Sequence, residues 1–399
     1  MPKVSVILTT RDRAQMLGEA IVSILSQTFK DFELLIMDDA STDGTFDMVK
    51  FFTDPRMLYI RQPFPKGSAE NWDEGLRRCR GEYIHQMHDD DLALPTLLER
   101  EVAMLDAHPK MMMAGANVTI MDAHGYITQE RFDEGREDRI FEKGEFITEY
   151  MTNRFTFKCP TQMTRRRETP EVEAAKKRLV GVTPDHIGSS GDLFNIFRAN
   201  THGQVGYIAY PLLRYRVHSG GESFNADVVK SDLALHEGAF NLCKQGGMPQ
   251  CIPYVEASML RYQVLQALIH GKKPTALLRK LGEIEHEHPK PYSMPVFPDG
   301  RARFLKGKNV AIMGSFLNAY LLAEECLHSG VKVKYFVDDN IRRQHHRLDG
   351  LMIQPTEWLR DHPVDAVLIS NERRPKEMIE PRIRPYTTAP IYSWKELQP

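Results

Sequence analysis

Residues 3–120 alternate between short apolar runs and segments in which apolar side chains recur at helical spacing. The runs 4–8 and 32–37 have the length and composition of buried strands. The segment 16–25 between them carries an apolar residue every three or four positions, which is the period of a helix packed on one face. Repeated strand–helix–strand units favour a largely parallel sheet with helices on both faces. The pattern therefore predicts an α/β, Rossmann-like fold for the first part of the chain.

A second α/β pattern begins beyond residue 300. An apolar run at 309–313 reaches Gly314, a helical pattern follows, and further strand-like runs lie at 331–337 and 366–370. The region 228–290 before it has mostly helical spacing and leads into a proline-rich stretch without periodicity, which is typical of a linker. The predicted division therefore has three parts: a catalytic-type α/β domain at 1–220, a helical region with a linker at 221–300, and a small Rossmann-like α/β domain at 301–399.

The turn that opens this small C-terminal domain departs from the dinucleotide-binding pattern G-x-G-x-x-G. Only the first glycine, Gly314, is kept, whereas Phe316 and Ala319 stand at the later positions. Asp338 lies roughly 20 residues further on, where a ribose-binding acid would stand. Two hypotheses stay open for this domain: a module for regulation or for contact with a partner or a second copy of the chain, and a nucleotide site.

Composition excludes several classes of function. The chain has 52 basic and 54 acidic residues and a net charge of -2, so no overall field would draw it to nucleic acid. Its five cysteines form no C-x-x-C pair, which argues against a zinc ribbon or a disulfide framework and favours a reducing compartment. The first residues lack the layout of a signal peptide, and no apolar run is long enough for a transmembrane helix. We therefore expect a cytoplasmic protein, and a peripheral visit to the inner face of the membrane is compatible with this.

Acidic residues follow two of the predicted strands. Asp38 and Asp39 come after the second, and the run 88–91, His-Asp-Asp-Asp, comes after the fourth. Ligands of open α/β sheets bind at the carboxyl ends of the strands, and carboxylates suit Mg²⁺ or Mn²⁺, which complete their shells with phosphate oxygens and water. The same acids are also common in solvated turns and at the starts of helices. Asp192, within Ser-Gly-Asp at the start of a predicted helix, is likewise either an ordinary N-cap or a general base.

The order and spacing of three segments narrow these alternatives. VSVILTTRDR, then AIVSILSQTFKDFELLIMDDASTDGT, then RGEYIHQMHDDDLALP closely resemble the inverting glycosyltransferases of family two, which have the GT-A fold. Within that family, SILSQTFKDFELLIMDD is similar to bacterial spore-coat polysaccharide glycosyltransferases. The resemblance is strong over residues 2–120, continues in register to about 220 and covers nothing beyond. It implies a GT-A-like catalytic domain that binds a UDP- or dTDP-sugar and Mn²⁺ or Mg²⁺.

The resemblance also implies roles for single residues. Thr9 and Asp39 match the positions that hold the pyrimidine, and Asp90 matches the principal metal ligand of the D-x-D element. His88 replaces the first acid of the wider pattern, so its part as a ligand is an open point. His218, in Tyr-Arg-Val-His, matches a histidine that reaches the diphosphate or metal in some members, and Asp192 matches the catalytic base. The implied nucleotide-binding set is Thr9, Arg11, Arg13, Asp39, Asn71 and Asp89, and the implied metal set is Asp90, His88 and His218.

These roles predict an inverting, single-displacement transfer in which Asp192 takes the proton of the acceptor hydroxyl. The acceptor, whether a glycan, a lipid-linked sugar or a protein, is not specified by the sequence. Two alternatives stay open. One is a non-catalytic sugar-nucleotide-binding or scaffold protein. The other is a nucleotidyltransferase, although its glycine-rich phosphate loop after the first strand is replaced here by Thr-Thr-Arg-Asp-Arg.

Overall fold

The chain folds into two compact units, Met1–Ile252 and Pro253–Pro399. The structure is a computed structural model, and it describes residues 1–153, 155–166, 191–218, 228–289, 296, 298–314, 317–339, 344, 347–371 and 376–397. Each unit has its own sheet. The three-part functional division at residues 220 and 300 stays a prediction.

The first unit is built on a ten-stranded sheet. Its strands are β1 (Val4–Thr10), β2 (Phe32–Asp38), β3 (Met57–Arg61), β4 (Tyr83–His88), β5 (Leu92–Ala93), β6 (Met111–Met121), β7 (Ile127–Gln129), β8 (Arg139–Phe141), β9 (Met163–Arg165) and β10 (Gln204–Arg216). Its helices are α1 (Ala14–Leu25), α2 (Thr45–Val49), α3 (Ser68–Arg78), α4 (Leu97–Ala107), α5 (Glu145–Asn153), α6 (Gly191–His202) and α7 (Val228–Gln245).

The sheet of the first unit confirms the predicted α/β class with a mostly parallel centre. Its strand order is β3-β2-β1-β4-β9-β6-β10-β5, with β7 beside β6 and β8 beside β10. Strands β3, β2, β1 and β4 run parallel to one another, and β6 runs parallel to β10. The short strand β9 lies antiparallel between β4 and β6 and joins the two parallel groups.

Burial in the first unit follows the apolar pattern of the sequence. Every residue of β2 is buried, and α1 buries Leu17, Ala20, Ile21 and Ile24, a spacing that places them on one face. These side chains pack with those of β1 and β2 in one core. Burying each such aliphatic side chain contributes about 1.5–3 kcal/mol, which makes this core a rigid base for the loops at the strand ends.

Those strand ends meet at one edge of the sheet. In the register of the parallel strands Thr10 of β1 pairs with Asp38 of β2, and Thr9 pairs with His88 of β4. The loops that carry Arg11, Asp39 and Asp89 therefore leave the sheet side by side. The fold thus brings together acidic and basic segments that lie up to 80 residues apart in sequence.

The second unit contains a six-stranded sheet in the order β13-β14-β12-β11-β15-β16, parallel except for the β13–β14 pair. Its strands are β11 (Asn309–Met313), β12 (Lys332–Val337), β13 (Arg347–Leu348), β14 (Leu351–Gln354), β15 (Ala366–Ile369) and β16 (Ile391–Ser393). Its helices are α8 (Ile252–Ile269), α9 (Thr275–Glu287), α10 (Leu317–His328) and α11 (Lys376–Ile383). None of the helices in the described part of the chain combines the length and apolarity needed to cross a bilayer.

The hydrophobic core of the second unit determines which shortened chains should fold. Leu260 and Val264 of α8 belong to the same buried cluster as Leu305 and Val310. A chain that ends at residue 300 would leave α8 without these partners and is expected to aggregate. A chain that ends at Ile252 keeps the whole first unit and should show a cooperative melting transition and retain UDP and metal binding, measured by calorimetry. Loss of donor binding in a folded 1–252 chain would contradict the assignment of donor binding to the first unit.

Candidate functional site

Asp89 is the first of three acids that follow β4, and it is buried among polar groups. Its Oδ2 accepts a hydrogen bond from Thr10 Oγ1 at 2.7 Å, and its Oδ1 accepts one from Arg13 Nη1 at 2.9 Å. Burial raises the pKa of Asp89, with the Asp90 charge adding to the shift and Arg13 opposing it. Thr10 and Arg13 thereby tie the acidic turn to the loop after β1.

Asp90 lies between Arg13 and His218. Its Oδ2 is 2.9 Å from Arg13 Nη1 and 3.0 Å from His218 Nε2. Burial disfavours the charged form, but His88, His218 and Arg13 outweigh it and lower the pKa of Asp90. The structure therefore places the predicted metal ligands Asp90 and His218 in direct contact, although they stand 128 residues apart.

Asp91, which sequence reasoning passed over, is the most deeply buried of the three acids. Its Oδ1 accepts the backbone N–H of Arg216 at 2.7 Å, while its Oδ2 has no hydrogen-bond partner among the described residues. Burial, reinforced by the Asp90 charge, raises the pKa of Asp91 to about 8. A buried carboxylate oxygen without a partner costs free energy, and a bound cation would remove that cost.

Arg216 fixes the position of this acidic turn. Besides its backbone bond to Asp91, its Nε donates to the Asp90 carbonyl at 2.8 Å and its Nη2 donates to Glu19 on α1 at 2.7 Å. The residue is buried. The end of β10 therefore clamps the turn after β4 onto α1 and brings His218, two residues further along, beside Asp90.

Asp39 forms a second polar cluster beside the acidic turn. Its carboxylate accepts the backbone N–H groups of Lys66 at 2.6 Å and Gly67 at 3.0 Å, and Arg11 Nη1 lies 3.6 Å from it. The neighbouring loop residues Asp12 and Ala40 have positive φ angles of 52° and 59°, a conformation that costs about 1 kcal/mol or more in non-glycine residues. Asp39 is thus held in a strained pair of loops at the carboxyl ends of β1 and β2.

Two further residues of the predicted nucleotide set belong to the frame of this site. Asn71, on α3, is buried; its amide donates to the Met37 carbonyl at 2.7 Å and accepts from Gln62 at 3.2 Å. Thr9 is the next-to-last residue of β1. The Asn71 side chain therefore ties α3 to the end of β2 and supports the loop that carries Asp39.

Asp192 reaches the same edge from the start of α6. One ligand-type atom from each of Asp192, His88 and Cys159 lies within 4.8 Å of the others. Gln162 donates to the Asp192 carbonyl at 3.3 Å and so fixes the first turn of the helix. The neighbouring residue Ser190, part of the predicted motif, lies outside the described residues.

The site offers a set of ligands for a divalent cation. Atoms of His88, Asp90 and Asp91 lie within 4.8 Å of one another. Two carboxylates and one imidazole are a set of ligands that suits Mn²⁺. Burial disfavours protonation of His88, but Asp192 and the three acids of the turn outweigh it and raise its pKa. Asp91 Oδ2 accepts no hydrogen bond from the described residues and lies 3.7 Å from His88 Nδ1, which adds a reason why these residues fit a cation.

Comparison with known proteins places the N-terminal part of this site in a family. Residues 5–169 match the model of glycosyl transferase family 2. The chain is 37% identical over 127 residues to the candidate glycosyltransferase EpsE of Bacillus subtilis, a match that covers 31% of this chain and 46% of EpsE. It is 30% identical over 106 residues to the Escherichia coli UDP-Glc:alpha-D-GlcNAc-diphosphoundecaprenol beta-1,3-glucosyltransferase WfaP, covering 27% of this chain and 42% of WfaP.

The chain thus spans less than half the length of these two relatives. Among solved structures, a crystal structure of S. aureus TarS 1-349 overlaps with TM-score 0.45 and 15% identity, covering 84% of this chain and 92% of that one. The family match includes β1 to β9 and the acidic turn after β4. Residues 5–169 of the chain therefore form a domain of glycosyl transferase family 2.

Proposed function

We propose that the first unit transfers a sugar from a UDP- or dTDP-sugar to an acceptor hydroxyl, with inversion at the anomeric carbon and dependence on Mn²⁺ or Mg²⁺. The observation that carries this proposal is the meeting of three groups at one sheet edge: Asp39 in its loop, Asp90 between Arg13 and His218, and Asp192 beside His88. The relative WfaP, which its name describes as using UDP-Glc, supports a uridine donor.

In this proposal each group has one task. Asp39 accepts a hydrogen bond from the pyrimidine ring, and Arg11 and Arg13 bind the diphosphate. Asp90, with His88, Asp91 and His218, holds the cation, which when bound would offset the charge that grows on the leaving diphosphate. Asp192 accepts the acceptor proton as the hydroxyl attacks the anomeric carbon from the side opposite the diphosphate.

The proposal is tested with UDP-glucose, Mn²⁺ and a panel of glycan, lipid-linked and peptide acceptors. Release of UDP that rises with one acceptor class, together with a product of inverted configuration, is the expected result. Donor binding without release of UDP under any of these conditions would favour a sugar-nucleotide-binding protein without catalysis. Release of glucose 1-phosphate, or formation of UTP from UDP-glucose when diphosphate is added, would instead indicate a nucleotidyltransferase.

Asp39→Ala is expected to weaken UDP binding at least tenfold. The loss of one charge-assisted hydrogen bond is worth about 1.4 kcal/mol, which corresponds to that factor. Isothermal titration calorimetry with UDP and GDP measures the effect, and the wild type should prefer UDP. Asp47→Ala, an exposed carboxylate on α2, is the matched control and should leave binding unchanged.

The Asp39 variant also loses the bonds to Lys66 and Gly67, so its melting temperature is measured in parallel. Asp39→Asn keeps the size of the side chain and one of the two oxygens that accept from the loop, so its melting temperature shows how much of the loss comes from loop support. Equal affinity of the wild type for UDP and GDP would remove the basis for a pyrimidine-specific contact.

A further inference from the structure

Cys159 lies on the inner side of the proposed active site and has no part in the mechanism above. It is buried in the short 3-10 turn Cys159–Thr161 between α5 and β9. Sulfur, imidazole nitrogen and carboxylate oxygen from Cys159, His88 and Asp192 come within 4.8 Å of one another.

This combination of ligands differs in chemistry from the acidic group nearby. His88, Asp90 and Asp91 offer two carboxylates and suit a hard cation. His88, Cys159 and Asp192 offer one thiol, one imidazole and one carboxylate, a set that prefers Zn²⁺ or Co²⁺ to Mn²⁺ or Mg²⁺. His88 belongs to both groups, so the two cations would compete for it.

We propose that His88, Cys159 and Asp192 form a second, thiophilic cation site that binds Zn²⁺ and blocks sugar transfer. Its inhibitory effect rests on the proposed function, because Zn²⁺ would occupy the carboxylate that takes the acceptor proton. Binding itself does not depend on that function. The fourth position of a tetrahedral ion is left to water or to a donor oxygen.

The geometry requires only a small rearrangement. Tetrahedral zinc with bonds of 2.0–2.3 Å holds its ligand atoms about 3.5 Å apart, so each pair of ligand atoms must approach by at most about 1.3 Å from the present limit of 4.8 Å. Among the described residues, the His88 side chain is 31% exposed and Asp192 is half-buried, so solvent reaches both ligands.

The charge balance of the cluster changes when a cation enters. Zinc binds the deprotonated thiolate of a cysteine, so binding at Cys159 displaces a proton. Zn²⁺ replaces that proton, which leaves to solvent, and the surrounding carboxylates that disfavour a bare thiolate then favour the thiolate–metal pair.

Cobalt gives a direct readout of this site. Titration of the full-length protein with Co²⁺, without donor or acceptor, should produce the near-ultraviolet charge-transfer band of a thiolate–cobalt bond. The band should be absent in Cys159→Ser and present in Cys79→Ser, a matched control at a buried cysteine beside Ser5, near the start of β1. Asp192→Asn keeps the thiol and should raise the half-saturating Co²⁺ concentration roughly tenfold or more.

Activity gives the second readout. With saturating Mn²⁺, Zn²⁺ should inhibit sugar transfer by the wild type and by Cys79→Ser. Cys159→Ser should need at least about tenfold more Zn²⁺ for half inhibition. The rate of each protein is compared with its own rate without zinc. A wild type without a thiolate–cobalt band would overturn the site. Equal Zn²⁺ sensitivity of Cys159→Ser and wild type would overturn the inhibitory role, since Zn²⁺ would then act at Asp90. A band without any transferase activity would uphold the site and contradict the proposed function alone.

Discussion

Replacing Asp192 with asparagine is expected to lower the rate of sugar transfer by about 10²–10⁴-fold while donor and Mn²⁺ binding stay close to those of the wild type. The amide keeps the size of the carboxylate and its place beside His88, but it cannot accept a proton. A general base acts only while the acceptor proton moves, so the loss should appear in kcat. Steady-state kinetics and calorimetric titration with UDP separate the two effects.

A matched substitution shows whether the loss belongs to this position. Asp138→Asn changes a carboxylate that accepts the backbone N–H of Ala209 in β10 at 2.8 Å and lies 3.7 Å from Arg100, and it should keep transfer near the wild-type rate. Near-normal transfer by Asp192→Asn would exclude Asp192 as the base. The next candidates would be Asp91 and Asp185, the latter outside the described residues. A product with retained configuration would exclude single displacement altogether.

The sheet and its strand ends could be predicted because hydrophobic periodicity is a local signal. The run 32–37 is apolar at nearly every position, and the structure buries all of β2. Since neighbouring parallel strands end at one edge, the position of Asp39 and Asp89 in sequence was enough to predict that they lie together. The separate C-terminal sheet was predictable on the same grounds, as its runs at 309–313 and 366–370 become β11 and β15.

The contacts that give the acids different properties could not be predicted in this way. Asp89, Asp90 and Asp91 are adjacent and chemically identical in sequence, yet one is bound by Thr10, one by His218 and one by the backbone of Arg216. Those partners stand up to 128 residues away. The burial and the pairing of each acid depend on where the end of β10 contacts the turn after β4. No local sequence pattern specifies that contact.

The same limit applies to Cys159 and Asn71. The sequence did not indicate a role for Cys159, one of five scattered cysteines. Its proposed role as a ligand depends on its closeness to His88 and Asp192, which lie 71 and 33 positions away in sequence. Asn71 was assigned to the nucleotide by resemblance, and the structure shows its amide bonded to Met37 and Gln62. Its expected contribution to donor binding therefore acts through the position of the Asp39 loop.

Asp90→Ala is expected to abolish the metal-dependent part of donor binding and to lower turnover by a similar factor, because Asp90 is the proposed principal ligand. Its removal also leaves the Arg13 guanidinium, whose charge Asp90 now offsets, beside the cation position. Two effects then oppose the metal, the loss of a ligand and the gain of repulsion. We expect UDP affinity to become the same with and without Mn²⁺.

Weak, metal-independent UDP binding should survive in this variant, because Asp39 and its loop keep their own contacts with Lys66 and Gly67. Asp106→Ala is the matched control: it removes an ion-paired carboxylate that bonds to Lys3 and Tyr83, near the first residues of β1, and should leave the Mn²⁺ dependence intact. Calorimetric titration of UDP over a series of Mn²⁺ concentrations distinguishes the cases. If Asp90→Ala showed the wild-type half-saturating Mn²⁺ concentration, the cation would have to be held by Asp91 and His88, and the D-x-D assignment would be wrong. If it lost UDP binding with and without Mn²⁺ alike, Asp90 would instead support the folded loop itself.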